Sequence, residues 1–268
     1  MIKIIFSDMD GTLLTSENKL PDGFDEMISF LKSRGVIFAP SSGRQYFSLI
    51  KTFSKYVDEF LFLADNGTLV MQGGKEVFSC PLDLPTTKKI IKATEPLKEK
   101  ILRVYSGKKN AYTLKEQNIP EFQKELEKYY TENSAVESWE EIDDIPIKMS
   151  FFDITGQAEK NIYPHLEQFY KTLNVVLASD YWVDITSPGV NKGAAVKKIQ
   201  QIFNFKPSEC AAFGDFMNDF EMLQAVDYSF AMANAYPEIK KVAKFETLSC
   251  DEFGVIAGIK KLIDDGLI

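Results

Sequence analysis

The sequence predicts an α/β protein: a doubly wound, Rossmann-like parallel sheet core with an inserted α+β cap domain. Three observations predict it. Short apolar runs alternate with helical periodicity at the start of the chain, the same alternation resumes after Pro188-Gly189, and the stretch between them is richer in Lys, Glu and aromatics. Strands buried on both faces read as continuous apolar runs, and their alternation with helices marks a parallel layer.

Taken in order, Ile2 to Ser7 is an apolar run suited to a buried strand. From Asp22 the residues Phe24, Met27, Ile28 and Leu31 recur at helical spacing, and Gly35 is a stop signal. Val36 to Ala39 reads as a second strand ended by Pro40, Gln45 to Phe53 as helix, and Phe60 to Ala64 as a third strand before the Asn66-Gly67 turn. Leu69 to Cys80 reads as a hairpin around Gly73-Gly74. The middle stretch predicts helices near 86–99, 119–131 and 159–172, with Ile147 to Ile154 and Tyr181 to Ile185 as its clearest strands. Beyond it come a helix over Lys192 to Phe203, a strand over Cys210 to Gly214, a helix over Phe220 to Ala225 and a strand over Tyr228 to Met232. The expected boundaries are 1–82 and 187–268 for the core and 83–186 for the inserted domain.

With 268 residues, 45% hydrophobic and 26% charged, the composition is that of an ordinary globular protein. A net charge of −8 argues against a nucleic-acid scaffold, because phosphate backbones recruit clustered Lys and Arg. No apolar run approaches the ~20 residues a membrane span needs, and the N-terminus lacks the pattern of a signal peptide. Cys80, Cys210 and Cys250 are too few and too scattered for a disulfide frame or a zinc site, which suits a cytoplasmic location. His165 is the single histidine, so histidine triads and histidine metal clusters are excluded. The chemistry falls to carboxylates, hydroxyls and lysines.

Four segments carry that chemistry. Asp8-Met9-Asp10-Gly11-Thr12-Leu13 follows the first strand, where ligands of doubly wound sheets gather. Two carboxylates there can converge on a cation while Gly11 permits a tight turn. An acidic turn after a strand is common, so the hexapeptide alone leaves a plain turn open. Ser41-Ser42-Gly43-Arg44 follows the second strand and offers a hydroxyl and backbone N–H groups to a phosphate. Lys192 opens a helix in Asn191-Lys192-Gly193, where a lone lysine is ordinarily solvated. Gly214-Asp215-Phe216-Met217-Asn218-Asp219 follows a further strand with two more acids and an amide, and Asp219 alone reads equally well as a helix N-cap.

In this order the four segments resemble those of the haloacid dehalogenase superfamily. The size of the insertion, Asn66-Gly67 and the Ala231-Met232-Ala233-Asn234-Ala235 stretch make the chain similar to its Cof-type, C2B-capped branch, and within it to bacterial sugar phosphatases of broad specificity. The resemblance implies hydrolysis of phosphate monoesters of small metabolites, sugar phosphates first, with Mg2+ as cofactor. It implies Asp8 as nucleophile, Asp10 as general acid/base and Lys192 as the charge-stabilising lysine. Ser42, Gly43 and Met9 are then the phosphate contacts, and Asp8, Asp215 and Asp10 (through its backbone carbonyl) hold the metal, supported by Asn218 and Asp219. Arg44, Asn66, Trp182 and Asp184 are candidate substrate contacts. Three positions depart from the family pattern: Ser42 stands where Thr is usual, Thr68 where Ala is frequent, and Phe216 where a small residue is frequent. The inserted domain is expected to act as a lid, and the protein to be a monomer or small homo-oligomer. Two competing readings remain open at this level, a phosphosugar mutase and a receiver that keeps its phosphoryl group.

Overall fold

The structure, a computed structural model, describes residues 1–117 and 119–268. Its strands in chain order are β1 (Ile4–Asp8), β2 (Ile37–Ser41), β3 (Leu61–Ala64), β4 (Leu69–Gln72), β5 (Lys75–Ser79), β6 (Ile101–Gly107), β7 (Ala111–Leu114), β8 (Asn133–Val136), β9 (Pro146–Asp153), β10 (Asn174–Leu177), β11 (Trp182–Thr186), β12 (Cys210–Gly214), β13 (Tyr228–Ala231) and β14 (Phe245–Glu246). The helices are α1 (Phe24–Ser33), α2 (Tyr46–Thr52), α3 (Leu84–Thr94), α4 (Pro120–Tyr129), α5 (Ala158–Asn161), α6 (Lys192–Phe203), α7 (Phe220–Gln224), α8 (Pro237–Val242) and α9 (Gly254–Asp264). They fall into two compact units. One comprises Met1–Gly43, Phe53–Val77 and Asn191–Ile268; the other comprises Arg44–Thr52 and Phe78–Val190.

The first unit holds an eight-stranded sheet in the order β14-β13-β12-β1-β2-β3-β4-β5. From β14 to β3 the neighbours pair in parallel, and β4 pairs antiparallel with β3. The winding leaves β1 in one direction toward β2 and β3, and resumes on its other flank with β12. That reversal opens a crevice at the carboxyl ends of β1 and β12, where doubly wound sheets bind ligands. Every residue of β1 is buried, as the apolar run requires. Helix α1 buries Phe24, Met27, Ile28 and Leu31, the four positions its periodicity selects, and Gly35 at φ +70° follows its end.

Strand β2 runs through Pro40 to Ser41, whereas the sequence suggests a stop at Pro40. The Ser42 N–H donates to the Leu63 carbonyl, so Pro40, two residues earlier, turns its missing N–H toward the same neighbour. There the ladder between β2 and β3 is reduced to the single register pair Ser41–Leu63, and no donor is lost. Helix α6 is capped by Asn191, whose side chain accepts from the Ala194 N–H at 2.7 Å.

The second unit is built on a six-stranded sheet in the order β10-β11-β9-β6-β7-β8. One face packs Ile101, Tyr105, Met149 and Phe151 against Ile90 of α3 and the stretch around Leu166. The other packs Leu102, Val104 and Phe152 against Phe122 and Leu126 of α4. The single helix expected over 159–172 is instead the short α5 followed by a 3-10 turn over Tyr163–Phe169. Pro164 near the start of that turn cannot donate to an i−4 carbonyl, so the α-helix stops before it. Among the described residues no helix is long and apolar enough to cross a membrane.

Candidate active site

Strand register assembles the site. Asp8 ends β1 directly opposite Ser41, and Ser7 stands opposite Phe213 of β12, one residue before Gly214. Asp8, Ser42 and Asp215 therefore arrive at one level from three adjacent parallel strands. Lys192 enters as the first residue of α6, which the Asn191 cap holds in place. Residues separated by more than 180 positions in sequence thus share one mouth.

At its centre is a buried ammonium. Lys192 Nζ donates to Asp8 Oδ1 at 2.5 Å and to Asp219 Oδ1 at 2.7 Å, with both the lysine and Asp219 fully buried. Burial works against the lysine's charge, but Asp219 and then Asp8 outweigh it and raise its pKa. Asp8 is also buried. Desolvation first, then the charge of Asp219, hold its carboxyl well above the ordinary range, although Lys192 pulls it down. Asp215 is pushed up to about 6, chiefly by burial, with the Thr12 hydrogen bond opposing and Asp219 and Asp10 adding to the rise.

Carboxylate oxygens of Asp8, Asp215 and Asp219 lie within 4.8 Å of one another. The three do not play equal parts. Asp219 Oδ1 is taken by Lys192, and its Oδ2 accepts the N–H groups of Asp215 and Phe216 at 3.0 and 3.3 Å. Asp219 therefore folds the loop after β12 and makes no side-chain cap on α7. Asp8 and Asp215 remain as the pair facing a common point. Among the described residues three acids face one ammonium, which leaves excess negative charge in a poorly solvated site, and every donor is a hard oxygen. Such a set fits a small divalent cation such as Mg2+.

Two close approaches fix Asp215. The Thr12 hydroxyl donates to Asp215 Oδ1 at 2.8 Å. Gly11 sits at φ +79°, and a Cβ there would lie 2.5 Å from Asp215 Oδ2, so only glycine admits the carboxylate. Asn234 secures the same turn by donating to the Gly11 carbonyl at 2.8 Å while its Oδ1 accepts from the Cys250 N–H at 3.0 Å. Thr12 and Asn234 have no role in the sequence reading, although both stand inside motifs it singles out. The signal for Thr12 is a hydroxyl two residues past Asp10; Asn234 carries no readable one.

Other expected residues are placed as follows. Asp10 is exposed at the mouth, and its carboxylate is not part of the acidic triad. Met9 has its side chain buried and its carbonyl accepting from Thr12 and Leu14, which closes the turn. Ser42 is buried, with its carbonyl accepting from the Asn66 N–H. Asn218 is exposed and donates to Asn66 Oδ1 at 3.1 Å, not to a carboxylate. Arg44, Trp182 and Asp184 belong to the second unit. There Trp182 is not a free contact: it is 7% exposed, packs on Phe152 and Tyr129, and donates to Glu125. Its indole is core, buried by the alternation of β11. Asp184 is half-buried, accepting from Ser150 at 2.6 Å with Lys148 at 3.3 Å.

The sequence profile of the haloacid dehalogenase-like hydrolases matches residues 5–259. The 5-amino-6-(5-phospho-D-ribitylamino)uracil phosphatase YbjI of Escherichia coli (strain K12) is 30% identical over 98% of this chain and 96% of its own. Phosphatase YwpJ of Bacillus subtilis (strain 168) is 24% identical over 98% of this chain and 100% of its own. Among solved structures, SMU.1108c from Streptococcus mutans UA159 is similar with a TM-score of 0.87 and 25% identity, covering 98% of this chain and 100% of that one. With the family profile spanning nearly the whole chain and a relative at 30% identity along its length, this protein belongs to the haloacid dehalogenase-like hydrolases and is a phosphatase of their Cof type.

Proposed function

We propose that this phosphatase is a Mg2+-dependent phosphomonoester hydrolase that works through a phosphoaspartate on Asp8. The observation that carries the reading is the Lys192 ammonium held between Asp8 and Asp219, with Asp215 beside them. Asp8 and Asp215, with the Asp10 carbonyl, would hold the cation. When bound it would offset the repulsion between a carboxylate and a phosphate dianion.

The chain's own groups supply the remaining steps. Asp8 uses one carboxylate oxygen to attack phosphorus, forming an acyl phosphate as the ester P–O bond breaks. Asp10, as general acid, gives a proton to the departing alkoxide. A water then attacks the phosphoaspartate and yields its proton to Asp10, which releases inorganic phosphate and restores both acids. Lys192 and the N–H groups near Ser42 and Gly43 stabilise the equatorial oxygens as charge spreads over them.

For substrate we propose phosphate esters of polyhydroxylated carbon chains, sugar phosphates first. The name of the Escherichia coli relative supports the class, since the substrate it states carries its phosphate on a ribityl chain. Selection among such esters is assigned to the second unit, with the half-buried Asp184 as its polar candidate. The free thiols Cys80, Cys210 and Cys250 suit a cytoplasmic setting. The test is a phosphate-release screen over sugar and sugar-alcohol phosphates, nucleotides, flavin mononucleotide and pyridoxal phosphate, with and without Mg2+. Release from sugar-type esters that requires Mg2+ is expected. Release that survives chelation, or confined to nucleotides, would overturn the metal or the substrate assignment.

A further inference from the structure

Beside the site lies an irregular backbone segment that the mechanism above does not use. Asp65, Asn66 and Gly67 take φ of +49°, +56° and +88° in succession. Two consecutive non-glycine residues in the left-handed region cost conformational energy, and glycine at one of them would relieve only that position's share. A strained backbone of this kind persists only where its surroundings over-determine it, and it clusters at functional sites.

The surroundings are three functional segments. The Asn66 N–H donates to the Ser42 carbonyl at 2.8 Å. Its Oδ1 accepts from Asn218 Nδ2 at 3.1 Å, on the loop that bears Asp215. A Cβ built on Gly43 would lie 3.3 Å from Asn66 Nδ2, so the amide rests against the glycine of the phosphate loop. Gly67 in turn presses on the first turn of α6, where a Cβ would come within 2.5 Å of Ala195 Cβ and 3.1 Å of the Asn191 carbonyl. The left-handed turn thus touches the Ser42 loop, the Asp215 loop and the helix that starts with Lys192.

We propose that Asn66 is a positioning residue whose side chain, bridged to Asn218, sets the spacing between the phosphate loop and the metal-carboxylate loop before substrate binds. Glycine and asparagine both tolerate the left-handed backbone, and what asparagine adds is an amide in contact with Asn218 and Gly43. Asn218 then acts through Asn66 and not at the metal. This rests on the phosphatase reading and adds to it a role for Asn66 that acts through the two loops it ties together. Preorganisation of this kind is expressed in turnover, because the two loops must stabilise the same pentacoordinate phosphoryl group.

The test is a double-mutant cycle of Asn66→Gly and Asn218→Ala, followed by kcat, KM, inhibition by orthovanadate and thermal unfolding. Asn66→Gly is expected to lower kcat and weaken vanadate inhibition by about tenfold or more with a small change in KM. Its melting temperature should stay near wild type, because relief of the left-handed backbone offsets the chain entropy that glycine adds to the unfolded state. A purely structural residue would lose stability and activity together. Adding Asn218→Ala to Asn66→Gly should cost little more, because the bridge is already gone. Multiplicative losses would show that Asn218 acts independently, and unchanged kcat and vanadate inhibition in Asn66→Gly would show that the strut is idle; either overturns the proposal. Absence of phosphate release by wild type would instead overturn the functional reading and the proposal with it.

Discussion

Lys192 is fully buried, and its ammonium sits between Asp8 and Asp219 with Asp215 beside them. Removing one member of a buried ion pair leaves the others uncompensated, at a cost of roughly 3–5 kcal/mol. Lys192→Met should therefore lower unfolding stability in chelated buffer by about that amount and abolish phosphate release. Denaturant titration, repeated with Mg2+, checks it: part of the loss should return when the cation replaces the missing charge. Asp10 differs, being exposed and outside the acidic triad. Asp10→Asn should leave Mg2+ binding by calorimetry near wild type while turnover falls by about 100-fold, the usual weight of general acid catalysis. An unchanged rate would show that another group moves the proton. At this scale the convergence of Asp8, Lys192 and Asp215 was legible because each follows an apolar run or a cap that announces a strand end or helix start. The double use of Asp219 was not legible, since an N-cap and a loop-folding carboxylate look alike until both of its oxygens have partners.

Elements were legible wherever local signals agreed. Helix α6 spans Lys192–Phe203 as its periodicity and the Asn191 cap suggest. The stretch after Asn161 was not, because amphipathic spacing continues across Pro164 while the backbone hydrogen bonds cannot. Trp182 shows the same limit in a strand: an aromatic among acids reads as a ligand platform, but alternation along β11 turns it into the core. Trp182→Ala should accordingly destabilise the second unit by roughly 3–5 kcal/mol, as for other buried aromatics. Urea unfolding measures this, and the substrate ranking of the folded fraction should be unaltered. A stable variant with a new ranking would return Trp182 to the substrate. Asp184→Ala is the contrasting change, expected to alter the ranking while activity toward a small aryl phosphate persists.

Across the whole molecule, the site exists only because the sheet reverses direction at β1. Sequence order revealed the four segments, but not the tie from Asn234 to Gly11, which joins residues 223 positions apart with no spacing rule to expose it. The same convergence concentrates negative charge. Asp215 is raised from 3.8 to about 6, chiefly by burial, and Asp8 shifts in the same direction. Between the ordinary carboxylate pKa and about 6 the folded chain holds a proton that the unfolded chain has released, so metal-free stability falls as pH rises through this window. Mg2+ competes with that proton. Millimolar Mg2+ should therefore raise the melting temperature more at about pH 7.5 than at about pH 5, and equal shifts would argue against a carboxylate-held cation.

Nucleophilic attack by Asp8 is tested most directly by phosphate release from a sugar phosphate with Mg2+, comparing wild type with Asp8→Asn. The amide preserves shape and removes the nucleophile, so release should fall to background while the variant remains folded. Near-normal release by Asp8→Asn would contradict a phosphoaspartate at this position.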